Sequence, residues 1–137
     1  MVMEPIEQNA MSPKILIVED NVIIASGIKY NLVDVGYEVV AMVKTGKDAV
    51  KKANKLKPDL ILMDIKLEGE MDGIQAAEKI KKKHNIPIVY LTAYADDEIV
   101  LRANGTQPFG YLTKPFNIKE LQTIIETSLH KNKTEEV

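Results

Sequence analysis

The chain has 137 residues, no cysteine and a formal net charge of −2, with 45% hydrophobic and 28% charged residues. That is enough chain for one domain that buries roughly two-thirds of its unfolded surface. The composition excludes disulfides, thiolate chemistry and cysteine-held metals, and the lack of a basic excess argues against direct nucleic acid binding.

Residues 1–12 have neither the basic start nor the apolar stretch of a signal peptide and are expected to be a flexible leader. Next comes a strand, Lys14–Glu19 (KILIVE), then a helix, Val22–Val35, with Ile24, Ile28, Leu32 and Val35 at helical spacing. A second strand, Glu38–Val43, precedes a helix over Lys47–Leu56, for which Thr45 is the expected N-cap. The third strand, Asp59–Asp64 (DLILMD), is a continuous apolar run, and Gly73–His84 is helical. The fourth strand, Pro87–Thr92, leads to a short helix over Asp96–Ala103 with Gly105 as its expected C-cap. Phe109–Thr113 is the fifth strand, and Asn117–Leu129 the last helix. Residues 13–131 form the expected domain, and 132–137 a polar tail. No apolar run is long enough to span a membrane, so membrane insertion is not expected.

Strands alternating with helices imply an α/β fold with helices on both faces of a parallel sheet. Uninterrupted apolar strands belong in such a sheet, buried on both sides. Five strands suit the doubly wound order 2-1-3-4-5, a flavodoxin-like (βα)5 architecture with its ligand at the carboxyl ends of the strands. Those ends carry Glu19 and Asp20, then Asp64, then Thr92 and Ala93, and finally Lys114-Pro115. Singly, these residues read as caps, turns or ordinary strand positions. Together, on one rim, they give three carboxylates, a hydroxyl and a lysine.

Three clustered carboxylates repel one another, and a divalent cation relieves this. An all-oxygen set selects a hard ion, Mg2+ or Mn2+. One carboxylate is then left to act as a nucleophile toward phosphorus, with Lys114 and the Thr92 hydroxyl balancing charge on the transferred group.

The segments KILIVEDN, DLILMDIKLEGEMDGI, IPIVYLTAY and GYLTKPF closely resemble the response regulator receiver domain of two-component signalling, of the chemotaxis-regulator type, over about residues 14–131. The resemblance implies that Asp64 is the phospho-acceptor. It implies that Asp20 binds the metal directly, Glu19 through water, and Lys66 through its backbone carbonyl. Thr92 matches the switch hydroxyl, Ala93 a backbone donor to the phosphoryl group, Lys114 the phosphate-pairing lysine, and Tyr111 the switch aromatic. The Lys114-Pro115 bond is implied to be cis. The implied partners are a sensor histidine kinase or phosphotransfer protein, an unidentified downstream protein, and a homodimer formed on phosphorylation, all in the cytoplasm. Lys66 and Tyr94 match positions that crowd the attacking water and so slow hydrolysis.

The chain departs from the usual pattern in two places. The loop after Asp64 is one residue longer, with Glu68-Gly69-Glu70 in place of a proline turn, and Gly105–Phe109 is unusual, which suggests an early end to the fourth helix. Val22 and Ile23 are either core residues or part of a kinase-docking surface, while His84 and His130 are expected at the surface. An aspartate-nucleophile phosphohydrolase would place a second acid two residues beyond Asp64, where this chain has Lys66. A receiver-like module that takes no phosphate would not need the full set.

Overall fold

The computed structural model describes residues 12–93 and 97–136, with side chains described as far as residue 131. Residues 1–11 of the leader, together with Tyr94 and Asp96, lie outside the described residues, as do the side chains of the 132–137 tail.

Strands β1 (Lys14–Val18), β2 (Glu38–Val43), β3 (Leu60–Asp64), β4 (Ile88–Thr92) and β5 (Gly110–Thr113) alternate with helices α1 (Val22–Asp34), α2 (Gly46–Leu56), α3 (Gly73–Lys83), α4 (Asp97–Asn104) and α5 (Ile118–Glu136). All neighbouring strands are parallel, in the order β2-β1-β3-β4-β5. This is the order expected for a doubly wound sheet of five strands.

Successive strand residues face opposite sides of the sheet, and the core divides accordingly. Leu16, Val18, Ile61, Met63, Ile88 and Tyr90 pack with Ala49, Ala53, Ile74, Ala77, Ile80 and Ala103 from α2, α3 and α4. Ile15, Ile17, Leu60, Leu62, Val89 and Leu91 pack with Ala25, Ile28, Leu32, Leu121 and Ile125 from α1 and α5. Every residue of β3 and β4 is buried, which is why both read as unbroken apolar runs. The sheet edges, β2 and β5, are only partly covered.

The helix starts follow side-chain chemistry. Asn21 Oδ1 accepts from Ile24 N at 3.1 Å, and Thr45 Oγ1 from Asp48 N at 3.1 Å. Asp72 and Gln75 form a reciprocal capping box at 2.8 and 2.9 Å. Asn117 and Glu120 form another at 2.8 and 3.1 Å.

Gly105 is not the left-handed residue after α4; Gln107 is, with φ 53°. Three successive turn bonds, Gly105 N to Arg102 O, Thr106 N to Ala103 O and Gln107 N to Asn104 O, tighten the chain first. Helix α5 runs to Glu136 rather than stopping at Leu129. The apolar repeat fades after Leu129, but Lys and Glu are good helix formers and no Gly or Pro intervenes.

Val22 and Ile23 are 52% and 84% exposed, so core packing does not account for them. His84 is only half-buried, and its Nε2 lies 2.7 Å from Asn54 Oδ1, linking α3 to α2.

Candidate phosphoryl and metal site

The carboxyl ends of β1, β3, β4 and β5 open into a cavity of about 260 Å3. It is lined by Glu19, Asp20, Asn21, Ile24, Asp64, Lys66, Thr92, Ala93 and Lys114. The backbone fixes each contributor. Glu19 N donates to Val43 O at 3.0 Å, Ile65 N to Leu91 O at 3.3 Å, and Lys114 N to Thr92 O at 2.8 Å. The Lys114-Pro115 peptide bond is cis.

Glu19 and Asp64 are 2% and 6% exposed, far more buried than unpaired carboxylates tolerate. Lys114 supplies the countercharge: its Nζ lies 2.7 Å from Glu19 Oε1 and 3.1 Å from Asp64 Oδ2. The remaining oxygens take backbone donors, with Asn21 N at 3.0 Å from Glu19 Oε2 and Lys66 N at 3.2 Å from Asp64 Oδ1.

Ligand oxygens of Glu19, Asp20 and Asp64 all lie within 4.8 Å of one another. Desolvation raises the Asp20 pKa, and the neighbouring Glu19 adds to the rise through a hydrogen bond and its charge. Burial alone would lower the Lys114 pKa, but hydrogen bonds and charge from Glu19 and Asp64 outweigh it and push the pKa up. Two buried carboxylates and a third beside them, with one ammonium between them, leave excess negative charge. The donors are all oxygen, so this set fits a hard divalent cation.

Thr92 is buried at the end of β4. Two residues back, on the same face, the Tyr90 ring stacks with that of Tyr111 at 5.9 Å and 28°. The Tyr111 hydroxyl donates to Asn104 Oδ1.

The long loop after Asp64 is well anchored. Gly69, at φ 95°, makes the turn in place of a proline, and Glu68 forms a parallel bridge with Thr45. Gly73 closes the loop, its N–H donating to Ile65 O at 2.8 Å. A Cβ at Gly73 would lie 2.0 Å from Asp64 O, so only glycine allows this approach.

Sequence reasoning missed Asn21, Gly73 and Asn104. Asn21 could have been found, since a cap-type residue follows the acidic pair just before an apolar helix; the cap belongs to Asn21, and Glu19 belongs to the site. A larger cavity of about 740 Å3 lies away from these residues, beside Lys81, Lys82, Lys83 and Gln107. Its lysines occupy the last turn of α3, where the helix dipole favours cations, and it contains no converging acids.

Residues 15–126 match the response regulator receiver domain family. The chain belongs to that family. The transcriptional regulatory protein PdtaR of Mycobacterium tuberculosis is 38% identical over 122 residues, covering 89% of this chain and 59% of that protein. The response regulator protein VraR of Staphylococcus saprophyticus is 39% identical over 117 residues, covering 84% and 56%. The chain therefore spans somewhat more than half the length of these curated relatives. The signal receiver domain of a modulated diguanylate cyclase from Desulfovibrio desulfuricans superposes with a TM-score of 0.86 at 39% identity, covering 90% of this chain and 98% of that one. A CheY-like receiver domain protein from Methanospirillum hungatei gives 0.85 at 29% identity, covering 90% and 98%.

The chain is thus a receiver domain of two-component response regulators, a signalling module. Among the described residues no helix is long and apolar enough to cross a membrane.

Proposed function

We propose that this receiver accepts a phosphoryl group on Asp64 in a reaction that depends on a divalent cation. The observation that carries this reading is the position of Lys114 Nζ, between buried Glu19 and Asp64. Asp20, Glu19 and Asp64 would hold Mg2+ or Mn2+, with the Lys66 backbone carbonyl completing the protein ligands. When bound, the ion neutralises charge on the phosphoryl oxygens and offsets the repulsion among the carboxylates.

One Asp64 oxygen attacks phosphorus and forms the new P–O bond. The P–N bond of a phosphohistidine donor breaks, and its imidazole leaves and takes up a proton. With acetyl phosphate the breaking bond is P–O, and acetate leaves. Lys114 pairs with the phosphoryl oxygens, and the Thr92 hydroxyl and the Ala93 N–H donate to them. Moving Thr92 toward the phosphoryl group frees space on the Tyr111 side, and Tyr111 follows. Lys66, on the cavity wall, shields the acyl phosphate from water; Tyr94 is proposed to do the same.

The donor is a sensor histidine kinase or phosphotransfer protein, in the cytoplasm. Exposed Val22 and Ile23, beside the site at the start of α1, offer it an apolar contact. The output is a protein contact, including a homodimer formed on phosphorylation. Self-phosphorylation makes the domain a switch rather than a turnover enzyme; two residues past Asp64 stands Lys66, which cannot serve as a phosphohydrolase acid.

Calorimetric titration with fluoroberyllate tests the reading. Binding is expected in the presence of Mg2+ and is expected to vanish with EDTA or in Asp64→Asn. Equal binding by Asp64→Asn would overturn it.

A further inference from the structure

Helix α4 spans only eight residues, about 12 Å. Ala103 is its only fully buried member, and Leu101 is 76% exposed. Partly buried Ile99 also packs against the core, and polar contacts add to this hold. Among the described residues, a group of them lies at its carboxyl end, at the far end of the helix from Thr92. Thr106 Oγ1 donates to Ala103 O at 2.6 Å and lies 2.7 Å from the hydroxyl of fully buried Tyr90. The three turn bonds accepted by the carbonyls of Arg102, Ala103 and Asn104 complete a fixed platform. Asn104 stands on that platform and accepts the Tyr111 hydroxyl.

Tyr111 is thus held by its ring, stacked on Tyr90, and by its hydroxyl, bonded to Asn104. Thr92 lies two residues along β4 from Tyr90 on the same face, toward Asp64. A Tyr111 side chain turning that way must give up Asn104.

We infer that Asn104 is a positioning residue that holds Tyr111 away from Thr92, and so biases the receiver toward its unphosphorylated arrangement. The inference rests on the switch reading of Thr92 and Tyr111. A ligand that favours the turned state must first break this bond, and its apparent affinity is reduced accordingly. Losing one net hydrogen bond corresponds to roughly a two- to tenfold change in the equilibrium.

The test is calorimetric titration of the whole chain with fluoroberyllate and Mg2+, alongside fluorine NMR of 3-fluorotyrosine-labelled protein. Asn104→Ala is expected to bind fluoroberyllate two- to tenfold more tightly than wild type and to shift the Tyr111 resonance toward its fluoroberyllate-bound position before any ligand is added. Asn104→Asp keeps an acceptor oxygen and is expected not to bind more tightly. Tyr111→Phe removes the same bond, so adding Asn104→Ala to it should change nothing further. Unchanged or weaker binding by Asn104→Ala, with wild type still binding, overturns the hold on Tyr111 alone. If wild type binds no fluoroberyllate, the phospho-acceptor reading itself fails. Circular dichroism identifies any variant that has lost helix, and in that case Asn104→Asp and Tyr111→Phe decide the matter.

Discussion

The Lys114 ammonium sits 2.7 Å from Glu19 Oε1, and Glu19 is almost fully buried. The same nitrogen reaches Asp64 at 3.1 Å, so one lysine from the loop after β5 compensates carboxylates from β1 and β3. Removing one partner of a buried pair costs more than the pair contributes, because the charge left behind has no substitute for water.

Lys114→Ala should therefore destabilise the metal-free protein by about 2–4 kcal/mol, less than a fully buried pair because Lys114 is partly exposed. Urea unfolding with and without Mg2+ checks this. Part of the loss should return on adding Mg2+, which substitutes for the missing positive charge. A variant as stable as wild type in EDTA would contradict the compensating role.

Asp20→Asn should do the opposite. The Asp20 pKa is raised, first by desolvation and then by Glu19, so the folded chain favours its neutral form. A raised folded pKa contributes stability below the unfolded value of 3.8 and loses it as pH rises through the folded value. At neutral pH the ionised Asp20 therefore weighs against folding in the metal-free protein. Asp20→Asn should unfold at a higher temperature in EDTA at pH 7, with the gap closing as pH falls toward 4. The variant should gain little from Mg2+, whereas wild type gains about 2.7 kcal/mol at a hundred times Kd. A gap that widens on acidification would refute the assignment.

Tyr90 has its pKa pushed up to about 12, chiefly by burial. The neutral phenol is favoured in the fold, so this contribution is intact below pH 10 and is lost between pH 10 and 12. The loss is on the order of 2 kcal/mol. Tyr90→Phe should flatten the fall in stability across that window, at the cost of about 1 kcal/mol at pH 7 for the Thr106 hydrogen bond. Chemical unfolding at several pH values reads both effects.

Gly73→Ala should displace the Asp64 backbone, because the new Cβ would sit 2.0 Å from its carbonyl oxygen. Overpacking of this kind costs about 1–3 kcal/mol. The more specific sign is weaker Mg2+ binding at pH 7, since Asp64 is a candidate ligand. Wild-type Mg2+ affinity in a folded Gly73→Ala protein would show that the loop does not position the site.

The five strands were legible because β3 and β4 are buried on both faces and carry almost nothing but apolar residues before Asp64 and Thr92. Their order followed from there being five of them in a doubly wound sheet, and the residues facing the cavity followed from all the strands ending on one rim. Contacts between distant elements were not legible. Gly73 looks like an ordinary first residue of a helix until the loop folds back on Asp64, and Asn104 looks like a helix-ending residue until β5 brings Tyr111 beside it. The Gly105 cap was misplaced because Thr106, tied to Tyr90, carries the turn two residues further to Gln107. The length of α5 was underestimated because the apolar repeat marks the buried part of a helix, not its end.

The central claim concerns Asp64, and intact-mass measurement after incubation with Mg2+ and acetyl phosphate tests it most directly. Wild type should gain a single phosphoryl group that base or hydroxylamine removes, and neither Asp64→Asn nor wild type in EDTA should gain one. No gain by wild type, or the same gain by Asp64→Asn, would contradict it.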